Sequence, residues 1–244
     1  MKQQAPARFA PLLGALFLLV LVNEPLAEWE HGATVSTLLY PIILAALVLA
    51  VGRSGRAGRF AVGLWVVTVA LELSDRATSS PTVSVVGRLL DAALVLWCIY
   101  ILIGEILRRQ RAVTFDTLLG GIAVYLMIGF FYSIAFSVVE FGFPGTFLDR
   151  GVPLSKLAGE TAVSGAAARY PGLVYYSFVT LTTLGYGDIV PGKPLGRSLA
   201  SSEALVGQLY LTILVAALVG MHLSQRVVNP AESEPQEPGD DPSP

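Results

Sequence analysis

The chemistry of this chain is concentrated in Thr180-Leu181-Thr182-Thr183-Leu184-Gly185-Tyr186-Gly187-Asp188. A peptide can replace the water around a small cation only by offering several oxygens at once, from carbonyls that all face one axis. Turning successive carbonyls the same way takes backbone dihedrals that a Cβ resists, and Gly185 and Gly187 adopt them cheaply. Thr183 adds a hydroxyl oxygen below the carbonyls. The side chains of Leu184 and Tyr186 then point away from the ion and wedge the loop open from behind. In isolation, Gly-Tyr-Gly-Asp also reads as a surface turn. The flanks argue against that: an aromatic, apolar run, Pro171–Leu181, precedes the motif, and a long apolar segment, Leu195–Val228, follows it.

Those flanks belong to a chain that is apolar throughout. Its 244 residues are 54% hydrophobic and 14% charged, too apolar for a soluble domain and suited to a polytopic membrane protein. A bilayer core takes about 20 apolar residues per helix. Six such segments stand out: Ala7–Val22, Thr34–Val51, Phe60–Ser74, Val83–Leu107, Phe115–Val139 and Gly196–Val228. The third is short, and the last is longer than a span. The apolar part of Pro171–Leu181 covers half a span and reads as a re-entrant helix. The lone cysteine, Cys98, lies within the fourth segment and reads as a packing residue. No nucleophile–base set, metal-ligand cluster or phosphate loop points to an enzyme, and His31 and His222 are far apart.

Basic residues set the orientation. Lys2 precedes the first segment and Arg8 lies at its very start, and Arg53, Arg56 and Arg59 lie between the second and third. Arg108, Arg109 and Arg111 lie between the fourth and fifth, and Arg226 closes the last. Six crossings put all of them on one side, which is therefore cytoplasmic, with both termini inside and the Gly-Tyr-Gly loop opening outside. The first segment also has the look of a signal peptide, with basic residues, an apolar core and Ala27 near a cleavage point, although Glu24 and Pro25 make a poor cleavage context. Phe141–Tyr170 reads as an outer loop. Ala231–Pro244, acidic and proline-rich, reads as disordered.

With these elements in place, Phe115–Val228 resembles the two-helix pore unit of potassium channels, and Thr183-Leu184-Gly185-Tyr186-Gly187-Asp188 resembles their selectivity filter. The resemblance implies K⁺ sites at Thr183, Leu184, Gly185 and Tyr186, with Gly187 completing the filter and K⁺ as the permeant ion; no cofactor is expected. It implies that Tyr175 and Tyr176 form an aromatic cuff around the filter. Asp188 would be the acid just outside it, bonded here by a Tyr hydroxyl where relatives commonly use Trp. Val179 stands where some potassium channels carry a second acid, and Leu184 where Val is usual, with Leu181 and Val179 as candidates to accommodate the larger side chain. Gly207 matches the hinge glycine of the inner helix, the reading preferred here over simple close packing of helices. Gln208 is expected to face the cavity. Glu203 lies about one turn earlier, where an acid is a functional candidate. It either raises K⁺ in the cavity or, protonated, bonds the back of the pore helix.

The resemblance stops at voltage sensing. The fourth segment carries Arg88 near its outer end, with Asp91 three residues on as a helical partner. Each charge crossing the field gains about 2.3 kcal/mol per 100 mV, so one paired arginine gives little voltage dependence. Glu72 and Asp75 are expected to neutralise Arg88 or stay hydrated. The expected architecture is an all-α membrane protein with six transmembrane helices plus a re-entrant pore helix and filter loop. It divides into a four-helix peripheral domain at 1–111, a pore domain at 112–228 and a tail at 229–244. One filter loop supplies a quarter of a ring, so a homotetramer is implied. The chain then reads as a voltage-insensitive, potassium-selective channel subunit of the plasma (cell inner) membrane, with membrane lipid around it and neither nucleic acid nor an identifiable soluble partner. The competing readings are a non-selective cation channel and a non-conducting membrane protein that kept the pore fold.

Overall fold

The computed structural model describes residues 9–27, 44, 45, 48, 56–78, 80–108, 115–157 and 171–228. Of the expected spans, Thr34–Val51 lies almost wholly outside these residues, as do the end of the outer loop and the tail. Four long helices cover the rest of the apolar sequence: α2 (Arg56–Thr78), α3 (Pro81–Arg108), α4 (Phe115–Gly142) and α7 (Pro194–Val228). Each holds a stretch long and apolar enough to cross a bilayer. α1 (Ala10–Ala27) has a shorter apolar stretch, Ala10–Asn23. The short third segment becomes 23 helical residues, because Arg56, Ala57 and Arg59 are good helix formers that carry the helix beyond its apolar part.

The short helix α6 (Pro171–Leu181) begins at the proline, whose missing N–H costs nothing in a first turn. α4 is the spine of the fold. α7 runs antiparallel to it, with Gly121 against Leu214, the Tyr125 and Tyr210 rings 6.3 Å apart, and Tyr132 Oη 3.2 Å from Ser202 Oγ. α6 fills the angle between them. α3 packs along α4 and α2 packs on α3, while α1 lies against α4 and α6. At its base the Phe9 N–H donates to Asp116 Oδ1 (2.9 Å), and the Phe9 ring covers Gly120.

The all-α expectation is corrected in the outer loop. Phe147–Asp149 (β1), Val152–Pro153 (β2) and Ile189–Pro191 (β3) form an antiparallel sheet in the order β2-β1-β3, followed after β2 by one helical turn, α5 (Leu154–Leu157). Gly145 and Gly151 take positive φ at its turns. The sheet joins the segment before α6 to the segment after the filter motif. Its anchor is Glu140, fully buried at the end of α4 and accepting N–H bonds from Gly145 (2.8 Å), Phe147 (2.8 Å) and Ser155 (3.2 Å).

In the peripheral helices Asp75 is buried and accepts the Ser84 hydroxyl at 2.7 Å, so it does not stay hydrated. Asp91 is also buried, with Thr68 and Arg88 as its polar neighbours.

Candidate functional site

The backbone from Thr183 to Gly187 alternates in hand. Thr183 (φ 61°), Gly185 (φ 60°) and Gly187 (φ 78°) are left-handed, whereas Leu184 and Tyr186 are not. Alternation of hand is a backbone pattern that allows successive carbonyls to face one side. The two glycines reach these dihedrals without a Cβ penalty. Thr183 adopts one at a cost of about 1–2 kcal/mol, so its surroundings must hold it there.

That hold comes from the end of α6. Val179 O accepts the N–H of Leu184 (3.0 Å) and of Gly185 (3.3 Å), Thr180 O accepts Thr183 N–H (3.0 Å), and Phe178 O accepts Thr182 N–H (3.0 Å). Leu181 O takes the Tyr125 hydroxyl at 3.0 Å. The last carbonyls of a helix have no partner within the helix, and here they clamp the first residues of the loop.

The upper part is fixed from the side. The Tyr175 ring stacks on Tyr186, with centroids 6.5 Å apart and planes within 7°. The Tyr175 hydroxyl donates to Asp188 Oδ2 (2.7 Å), and Ile189 N–H donates to Asp188 Oδ1 (2.9 Å). The Tyr175 bond, then the Ile189 amide and the nearby Arg150 charge, hold the Asp188 carboxyl below the usual carboxylate range. Tyr176 faces the other way, into a cluster with Phe136 and Phe147 at 5.1 and 5.3 Å. The two tyrosines therefore divide the task, one bracing the loop and the other seating α6 in the core. Leu184 and Tyr186 are 55% and 66% exposed. Leu181, a candidate to accommodate Leu184, is buried against Gly207 and Gly129.

Behind the loop lie the residues of α7. Gln208 is exposed. Glu203 is fully buried, with Oε1 2.5 Å from Ser177 Oγ on the back of α6. The Glu203 side chain therefore reaches α6. Gly207 lies within unbroken helix, and a Cβ there would come within 2.6 Å of Leu181 Cδ1 and 3.3 Å of Leu181 O. Gly129 gives the same closeness from the other side, its missing Cβ 2.9 Å from the Phe178 ring. Sequence reading did not single out Gly129, Ser177 or Glu140. Their signals were available: a glycine and an acid in an apolar span, and a serine in the middle of the short helix.

The sequence profile of a family described as ion channels matches residues 112–223, the stretch that contains α4, α6, the filter loop and most of α7. A potassium voltage-gated channel protein of Caenorhabditis elegans is 32% identical over 95 residues, 39% of this chain and 16% of that protein. A voltage-gated potassium channel of Aeropyrum pernix is 35% identical over 60 residues, 25% of this chain and 20% of that protein. Over residues 112–223 the chain is similar to an ion-channel family, and the relatives it resembles are named as potassium channels. No solved structure gives a significant match. The chain spans a fifth or less of the length of these two relatives. The ion-channel match and the four helices among the described residues that are long and apolar enough to cross a bilayer fit a multi-pass membrane protein. Within residues 112–223 the alternating loop lies between α4 and α7, both long and apolar enough to cross a bilayer.

Proposed function

We propose that this chain is one subunit of a homotetrameric, potassium-selective, voltage-insensitive channel of the plasma (cell inner) membrane. The observation that carries the reading is the alternation in hand at Thr183, Gly185 and Gly187, because carbonyls turned to one side are what a dehydrated ion needs. K⁺ sites then lie at Thr183, Leu184, Gly185 and Tyr186, with Gly187 and Asp188 at the outer mouth. Four copies close the ring, and the exposed Leu184 and Tyr186 side chains fit a surface that neighbouring subunits cover.

The division into 1–111, 112–228 and 229–244, six crossings and cytoplasmic termini complete the proposal; α1, although peripheral in sequence, lies against α4 and α6 of the pore unit. Voltage insensitivity rests on α3, whose arginines are Arg88, beside Asp91, and Arg108 at its end. Relatives named for voltage gating make this point worth a direct measurement. Purified protein in liposomes, loaded with K⁺ or Na⁺ and clamped at a series of potentials, tests both parts. Strong preference for K⁺ with a shallow conductance–voltage curve is expected. Equal K⁺ and Na⁺ flux would overturn selectivity, and a steep curve that flattens in Arg88→Gln would overturn voltage insensitivity.

A further inference from the structure

We propose that Glu203 is a positioning residue for the filter, a neutral carboxylic acid that donates a hydrogen bond to Ser177 and locks α7, α6 and α4 together behind the ion path. The inference rests on the pore reading above and adds to it a charge state and a role for a residue no ion touches.

The argument is a count of protons. Ser177 Oγ is 2.7 Å from Gly129 O and 2.5 Å from Glu203 Oε1. A serine hydroxyl has one proton to give, and a backbone carbonyl can only accept. Ser177 therefore donates to Gly129 O on α4. The contact with Glu203 then requires its proton from the carboxyl group, with Ser177 Oγ as acceptor. The other carboxyl oxygen points the same way. Glu203 Oε2 is buried and has no hydrogen-bond partner among the described residues. A bare oxygen on a buried carboxylate would carry an uncompensated charge, whereas a neutral acid leaves only a carbonyl-like oxygen unsatisfied.

The chain of bonds runs Glu203 on α7, Ser177 on α6, Gly129 on α4. It meets α6 two residues before Val179, whose carbonyl holds the amides of Leu184 and Gly185. A shift of α6 at Ser177 is therefore a shift of the filter base. Gly129 makes the clasp possible, since a side chain there would push α6 off by its Phe178 ring. Glu203 thus acts through Ser177, without facing the ion.

The experiment compares the parent with Glu203→Gln, Glu203→Leu and Ser177→Ala in liposomes, reading the K⁺/Na⁺ permeability ratio, together with infrared spectra of the parent, Glu203→Gln and Ser177→Ala proteins. Glutamine keeps an N–H donor for Ser177 and should retain the parent's ratio. Leucine removes the donor, and the ratio should fall by about tenfold, the scale of one lost hydrogen bond at a shared filter. The parent should show a protonated-carboxyl C=O band that is absent in Glu203→Gln and moves upward in Ser177→Ala. A band in the carboxylate region only, or equal selectivity in the leucine variant, overturns the proposal. If the leucine variant does not assemble, the infrared bands of the parent and of Ser177→Ala decide alone. A parent that passes Na⁺ as readily as K⁺ but shows the acid band would overturn the potassium-selective reading while keeping Glu203 neutral.

Discussion

The Tyr175 hydroxyl bonds Asp188 at 2.7 Å across 13 residues of chain, joining the first half of α6 to the residue that follows Gly187. The same ring stacks on Tyr186, so one side chain braces the loop by both its face and its tip.

Tyr175→Phe keeps the stack and loses the bond. Asp188 is held below the usual carboxylate range first of all by that hydroxyl. A carboxyl whose folded pKa is depressed stabilises the structure above its unfolded value, near 3.9, and that stability is lost as pH falls through the folded pKa. The parent should therefore keep its outer mouth intact through the ordinary carboxylate range on the outside. In Tyr175→Phe the onset of acid sensitivity should move upward toward that range. K⁺ flux against external pH for both proteins checks this, and superimposable curves would refute it.

Gly185→Ala isolates the backbone requirement. Nothing lies within 4 Å of a Cβ built there, so packing does not oppose the substitution. The left-handed φ of 60° does, at about 1–2 kcal/mol in each subunit. Selectivity or conduction should be lost while expression and assembly stay near parent levels. A selective Gly185→Ala channel would show that the alternation in hand is not what turns the carbonyls.

Much of the pore was legible because its signals are long or chemically unusual. Apolar runs of span length mark α3, α4 and α7, a shorter one marks α2, and few sequences put two glycines around a tyrosine between such runs. The outer sheet was not legible. Its strands have three, two and three residues, too few to display a period of two, and β3 pairs with a strand some forty residues earlier in the chain. Glu140 was missed for a related reason. Its three donors lie 5, 7 and 15 residues away, and nothing in an acid at the end of an apolar run announces that a loop will fold back onto it. Glu203 and Gly207 were noticed, but their partners, Ser177 and Leu181, lie on another helix, and periodicity within one helix does not reveal which residue of a neighbour it meets.

Glu140→Gln should therefore be costly despite its equal size. Glutamine offers one carbonyl oxygen where the carboxylate offers two, and it turns an NH₂ toward amide donors. Hydrogen bonds to a charged acceptor contribute roughly 1.5–3 kcal/mol each, so the loss of one should lower the thermal midpoint in detergent measurably. An unchanged midpoint would mean that the sheet holds its place without this anchor.

Gly207 is best resolved by a pair of substitutions. As a hinge, its value lies in helix flexibility, and alanine would straighten the helix by about 1 kcal/mol of helix preference. As a contact, its value lies in the space taken by Leu181, whose Cδ1 would sit 2.6 Å from a new Cβ, and overpacking of this kind costs about 1–3 kcal/mol. Both accounts predict that Gly207→Ala alters conduction, so the single variant does not separate them. Leu181→Ala clears the space without touching the flexibility of α7. If contact dominates, Gly207→Ala combined with Leu181→Ala should conduct better than Gly207→Ala alone, with a coupling of at least about 0.5 kcal/mol in the double-mutant cycle. If bending dominates, the two effects should add. The structure favours coupling, because α7 is continuous helix through Gly207 and the side chain filling its place belongs to the residue that ends the pore helix. Open probability in single-channel recordings of all four proteins is the measurement, and strict additivity would return Gly207 to the role of hinge.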